Sequence, residues 1–177
     1  MQSISCEAMN LPPYLNFPVL VSAAVALRQV LPTDADSLLE ISFYDARSAR
    51  DIADAAAMQV KIDADYQAGT AIHWVIVRAA TAEVVGTLGF YRGFENEAGE
   101  LGCVLKPAFR GQGLMREALK LAIEFGLRKR KLARLITITT RQNTPAIKLL
   151  EKLGFHKTAS LTDDKLSYRL IPICPLA

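Results

Sequence analysis

The chain has 177 residues, 51% of them hydrophobic and 22% charged, which suits one globular domain with a sizeable core. A net charge of +3, from 21 basic and 18 acidic side chains, is too small and too dispersed to point to nucleic acid. Cys6, Cys103 and Cys174 lie far apart, which argues against a disulfide framework and against a zinc site, and fits a reducing, cytoplasmic setting with no metal.

Residues 1–16 read as a loosely ordered extension, and residues 17–177 as a single domain. The extension carries Glu7 and no Lys or Arg, unlike a secretory leader. The apolar run "FPVLVSAAVAL" (17–27) is too short to span a bilayer, so no membrane partner is expected. "VALRQV" (25–30) is a strand. "LPTDADSLLEIS" then opens a helix, with Thr33 as N-cap and Asp34 and Asp36 in its first turn. Residues 47–68, rich in Ala and charge, read as a further helix that Gly69 stops. "AIHWVIV" (71–77), "EVVGTLGFYR" (83–92) and "GELGCVL" (99–105) are β-branched and aromatic, with short connections. They imply an antiparallel meander.

Next comes "PAFRGQGLMREALKLAIEF" (107–125). Met115, Ala118, Leu119, Ala122, Phe125 and Gly126 recur at three- and four-residue steps, the apolar stripe of an amphipathic helix. "ARLITITT" (133–140) reads as a buried strand. "TPAIKLLEKLGF" reads as a short helix with Thr144 at the cap, Pro145 at N1 and Gly154 past its end. "FHKTASL" and "KLSYRLI" close the chain as two strands.

Gly111 and Gly113 thus join a strand to a helix. Loop amides and the first-turn N–H groups point one way, and the helix dipole adds about half a positive charge there. That is an anion site suited to phosphate or pyrophosphate, open because the glycines lack side chains, with Arg110 able to add charge. The Walker pattern fails because no Lys-Ser/Thr pair follows. The Rossmann fingerprint fails because position 116 is Arg. An ordinary tight strand-to-helix turn is the competing reading.

Here the sequence resembles the GNAT superfamily of acyl-CoA-dependent N-acetyltransferases. Its signature, [QR]-x-x-G-x-[GA], is met by Arg110 and Gly113, while Met115 stands where Gly or Ala is usual. "GQGLMREA" is similar to the ribosomal-protein N-terminal (alanine/serine) acetyltransferase branch. "LRQVLPTDADSLLEI", "HWVIV…EVVGTLGF", "GELGCVLKPAFRGQG" and "RQNTPAIKLLEKLGF" follow the family's order over residues 17–170. The resemblance implies an α/β (α+β) GNAT fold: a mixed, mostly antiparallel sheet splayed between its fourth and fifth strands, with helices on both faces. Acetyl-CoA would lie in the splay as co-substrate.

The resemblance also implies roles. Arg110, Gly111, Gln112, Gly113, Leu114 and Met115 would hold the pyrophosphate. A backbone N–H near Val104 or Leu105 would stabilise the charge developing on the thioester oxygen. Asn143 would hold the CoA arm; its competing role is helix capping. Glu100, at the start of the fourth strand, would accept the proton of the attacking amine, against a reading as part of a solvated rim with Glu95 and Glu97. The family's usual Tyr and Ser proton donors are replaced by Leu150 and Ala146, so the thiolate would be protonated by solvent or by a remote group such as Tyr168.

His73 and His156 read as structural, Cys103 as a small core residue, and the "RKRK" run (128–131) as a solvated helix end. Trp74, Phe90 and Tyr91 read as core or as lining of the acceptor groove. The expected partners are acetyl-CoA and an amine acceptor, with a homodimer admitted. The implied activity is direct transfer of acetyl to a primary amine through a ternary complex, with a protein or peptide α-amine as acceptor. A small amine such as an amino acid, polyamine or aminoglycoside is the alternative acceptor, and a non-catalytic acyl-CoA sensor the alternative class.

Overall fold

The meander at the centre of the chain is the frame on which everything else is laid. The computed structural model describes residues 10–44 and 47–172. Its strands are β1 (Leu20–Val21), β2 (Val25–Gln29), β3 (Phe43–Tyr44), β4 (Arg47–Ser48), β5 (Ile72–Arg78), β6 (Val84–Tyr91), β7 (Ala98–Leu105), β8 (Arg134–Thr140), β9 (His156–Ser160) and β10 (Lys165–Leu170). The α-helices are α1 (Ala35–Leu38), α2 (Ile52–Gln67), α3 (Leu114–Glu124) and α4 (Thr144–Lys152). Eight strands form one sheet in the order β1-β2-β5-β6-β7-β8-β10-β9, and β3 pairs with β4 apart from it.

Every neighbouring pair in the large sheet is antiparallel except β7 and β8. That parallel pair runs from Ala98↔Arg134 to Leu101↔Thr137 and then ends, although β7 continues to Leu105 and β8 to Thr140. The strands part there, so the expected splay is present. Helices cover both faces. Trp74 and Ile76 of β5 pack with Ala118 and Leu119 of α3. Val75 and Val77, alternating with them, pack with Leu38 of α1. Trp74 is fully buried, and its indole N–H donates to Pro18 O at 2.8 Å. Burial of such side chains is worth about 1.5–3 kcal/mol each.

Several local expectations need correction. The segment after β2 is a chain of short turns: 3-10 at Pro32–Asp34, α1, then 3-10 at Leu39–Ile41. Asp34, not Thr33, satisfies the backbone there, accepting from Leu31 N at 2.8 Å while pairing with Arg28. The 47–68 segment begins as strand β4, and its helix starts only after Asp51, whose carboxylate caps Asp54 N at 2.8 Å. α4 is capped by Asn143 rather than Thr144. β8 is buried at Leu135 and Thr137 and half-buried elsewhere, not buried throughout. The loose extension expected over residues 1–16 falls mostly outside the described residues. Tyr14, inside them, packs edge-on against Phe125 at 6.0 Å between ring centres.

After Glu124 the helix widens into a π-turn over Phe125–Lys129, closed by Arg130 N donating to Phe125 O at 3.0 Å. Arg130 is not solvated as the charge run suggested. It is fully buried, its guanidinium lies 3.4 Å from the centre of the Phe94 ring, and its Nε, Nη1 and Nη2 have no hydrogen-bond partner among the described residues. Burial pulls its pKa down to about 10, so it stays charged at neutral pH.

Candidate active site

The glycine loop follows a 3-10 turn at Pro107–Phe109. Gly111 (φ +74°) and Gly113 (φ +77°) both lie in the left-handed region, which explains glycine at each. A Cβ built on either would meet no atom within 4 Å, so the loop faces open space. Gly113 is the N-cap of α3 and offers no side chain there, leaving the helix's leading N–H groups, at Leu114 and Met115, for an external acceptor. Leu114 is buried and Met115 is half-buried against the core, so these two contribute backbone rather than side chain.

The loop's polar side chains brace it. Gln112 donates to Ala108 O at 3.0 Å and accepts from the Arg78 guanidinium. Arg110 Nε donates to Leu105 O at 3.2 Å, tying the loop to the end of β7.

The parting of β7 and β8 determines which backbone groups are free. Lys106 N donates to Val85 O at 2.9 Å, so Lys106 faces β6. Groups alternate along a strand, so Val104 also faces β6, whereas Cys103 and Leu105 face the splay. Of the two residues expected to supply a donor, the geometry therefore favours Leu105. These open amides and the unfilled glycine cradle fit a long ligand with amide and phosphate groups.

A groove of about 1160 Å³ lies against the other face of the sheet, between the α1–α2 segment and strands β5, β6 and β7. Met58 and Ile62 of α2 line one side, and His73, Thr87 and Tyr91 the other. It reaches Cys103 and Val104 on the β7 edge and Arg110 in the glycine loop, so groove and loop meet. Carboxylates Glu40, Asp65, Glu95 and Glu100 line it against Arg92 and Arg110. Asp65 accepts from the Tyr44 hydroxyl at 3.2 Å. Glu100 lies in the wall, opposite Tyr91 in register, with Arg92 Nη1 3.1 Å from its Oε1.

Other expected residues fall as follows. Asn143 accepts from Ala146 N at 3.3 Å; the cap uses Oδ1 and leaves the amide NH₂ uncommitted by it. Leu150 is buried in the core. Tyr168 is buried too and is not among the groove-lining residues. Phe90 and Trp74 are core residues.

Two residues read as structural prove to line the groove. Cys103 is exposed there rather than packed in the core. The walls crowded around it still desolvate a thiolate and push the thiol up to about 11, which makes it a poor nucleophile at neutral pH. His73 is 9% exposed in the groove wall, and burial lowers its imidazole to about 4. One sequence signal pointed to it: His73 is a polar residue in a run otherwise apolar from Ala71 to Val77.

Residues 25–156 match the family described as the acetyltransferase (GNAT) domain, and the chain belongs to that family. It is an acetyl-CoA-dependent N-acetyltransferase. The chain is 35% identical over 133 residues to the uncharacterized N-acetyltransferase p20 of Bacillus licheniformis, covering 74% of this chain and 71% of that protein. Among solved structures it resembles the ribosomal-protein-S5-alanine acetyltransferase of Vibrio fischeri, with a TM-score of 0.72 and 17% identity over 87% of this chain and 96% of that one. It also resembles mutant forms of the spermidine/spermine N-acetyltransferase SpeG of Vibrio cholerae, with a TM-score of 0.72 and 14% identity over 85% and 95%. At these identities the structural likenesses concern the fold alone. Among the described residues no helix is long and apolar enough to cross a membrane.

Proposed function

We propose that the acceptor is the α-amine of a protein or peptide, acetylated by direct attack within a ternary complex. The observation that carries this reading is the meeting of two sites: the groove opens onto the β7 edge and the glycine loop together. An extended chain entering the groove would bring its terminus to that junction. The groove's excess of carboxylates over guanidiniums suits an acceptor that arrives as an ammonium.

Acetyl-CoA supplies the acetyl group. The N–H groups from Gly111 to Met115 hold its pyrophosphate, with Arg110 and Gln112 fixing the loop's shape. Leu105 N–H, beside Val104 on the splayed edge, donates to the thioester oxygen as negative charge develops on it. The Asn143 amide reaches the pantetheine arm. Glu100 takes the ammonium proton, directly or through water, and leaves a lone pair on nitrogen. The nitrogen–carbon bond forms as the carbon–sulfur bond breaks. The nitrogen sheds its second proton to water in the open groove, and the departing thiolate takes a proton from the same solvent.

The test pairs thiol release with calorimetry. Peptides with free α-amines should release CoA from acetyl-CoA in the presence of the wild type. Gly113→Val should abolish release and weaken CoA binding at least tenfold, with the circular dichroism spectrum unchanged. Wild type that acetylates no peptide, or a variant that binds CoA as tightly as wild type, would sink the reading.

A further inference from the structure

Among the described residues that line the groove, one buried polar side-chain atom has no hydrogen-bond partner. His73 Nδ1 is sealed from solvent and has no hydrogen bond among the described residues. The residue nevertheless lines the groove, so Nε2 is the ring nitrogen left on the open side. A sealed N–H without an acceptor is tolerated less than a sealed lone pair. The proton of the neutral ring therefore sits on Nε2, and His73 presents a fixed N–H donor to whatever fills the groove.

The surface beside this donor is flat. Gly89 is the cross-strand partner of both His73 and Gly102, so these three form a row across the sheet that ends at β7. The Tyr91 ring lies along that row. A Cβ at Gly102 would stand 2.8 Å from its Cε2, and one at Gly89 would stand 3.0 Å from its Cζ and hydroxyl. The Tyr91 and His73 ring centres are 5.7 Å apart. An aromatic ring laid on two glycines, with an N–H donor at its far end, makes a bed for a planar group that carries an acceptor oxygen.

We infer that His73 is a specificity-determining residue: its Nε2–H donates to a carbonyl oxygen of the acceptor molecule, while the Tyr91 ring carries the planar amide to which that oxygen belongs. The class selected is an amine with a carbonyl close to it, as in a peptide N-terminus or an amino-acid amide. A polyamine carries no such oxygen and would leave the buried donor unpaired. The low proton affinity of the buried ring supports this, because an uncharged imidazole discriminates by hydrogen bonding and does not repel an incoming ammonium. The inference rests on the groove being the acceptor site.

Steady-state kinetics on an alanine-headed peptide and on spermidine test it, with wild type, His73→Leu and His73→Gln. Gln carries its amide nitrogen near the position of Nε2 and should keep most of the peptide activity. His73→Leu should lower kcat/KM for the peptide by about 10- to 100-fold, mainly through KM, and raise it for spermidine, which no longer strands a donor. Acetyl-CoA affinity should be the same in all three. An alkene isostere of the first peptide bond, planar but lacking the carbonyl oxygen, should lose a similar factor on the wild type, a comparison that needs no variant. Equal loss for peptide and spermidine in His73→Leu would overturn the inference, as would an isostere used as well as the peptide. Wild type that acetylates the peptide but is indifferent to both changes overturns this inference alone. Wild type inactive on every peptide overturns the reading beneath it as well.

Discussion

Glu100 stands where three strands meet, opposite Tyr91 on β6 and Ile136 on β8, with Arg92 on one of its oxygens. If it takes the amine's proton, Glu100→Gln should cut turnover by roughly two to four orders of magnitude at neutral pH. Acetyl-CoA affinity should hold, because the loop and the α3 terminus are untouched. Raising the pH should restore part of the rate as more amine arrives neutral; a near wild-type rate throughout would leave Glu100 a rim carboxylate. At this scale the sequence was legible where local backbone chemistry decides. Gly111 and Gly113 are glycine because φ is positive there, and a spacing argument finds that. Cys103 was misread as core, and the groove position of the buried His73 was missed, because a groove is a relation between β7, β5 and α2, and a one-strand pattern cannot express it. Asn143 was poised between ligand and cap, and the hydrogen bond to Ala146 N shows the cap.

The α3 element shows how a correct periodicity can still mislead at its end. Ala118, Leu119, Ala122, Phe125 and Gly126 are buried as the stripe required. Arg130 comes four residues after Gly126 and continues the same stripe, a signal present in the sequence but outweighed by its three basic neighbours. The π-turn then closes the helix on Phe125 O, with the guanidinium stacked on Phe94. A buried charge without a hydrogen-bonding partner is costly, and stacking on a ring returns only part of the loss. Arg130→Met keeps the length and removes the charge. It should raise stability by about 1–2 kcal/mol, read as a higher urea midpoint with an unchanged slope. A lower midpoint would show that the stack on Phe94 outweighs desolvation.

At the scale of the whole molecule, His73 ties folding to pH. Its folded pKa is about 4, against about 6.5 for an unfolded histidine, so the folded state binds fewer protons between those values. This contribution to stability is fully present above pH 6.5 and is lost as pH falls toward 4. Between pH 7.5 and 5 it should amount to about 2 kcal/mol, in a range where most carboxylates have yet to titrate. Urea midpoints measured across that range should fall for the wild type and stay nearly level for His73→Gln; parallel profiles would place the titrating group elsewhere. Sheet order and the parting of β7 from β8 were legible only through family resemblance, since hydrophobic periodicity says which face of a strand is buried and not which strand lies beside it. That parting has a mechanical side. Counting β7 and β8 themselves, five strands lie on one side of the parallel seam and three on the other, joined along the backbone by only four matched positions among the described residues. Parallel bonds are slanted and slightly weaker than antiparallel ones. Force applied between the ends of the sheet must pass through this short seam. Under such a load the sheet should open there first, releasing β8 with the closing hairpin while the meander stays whole; a pulling experiment in which the meander unravels first would overturn this.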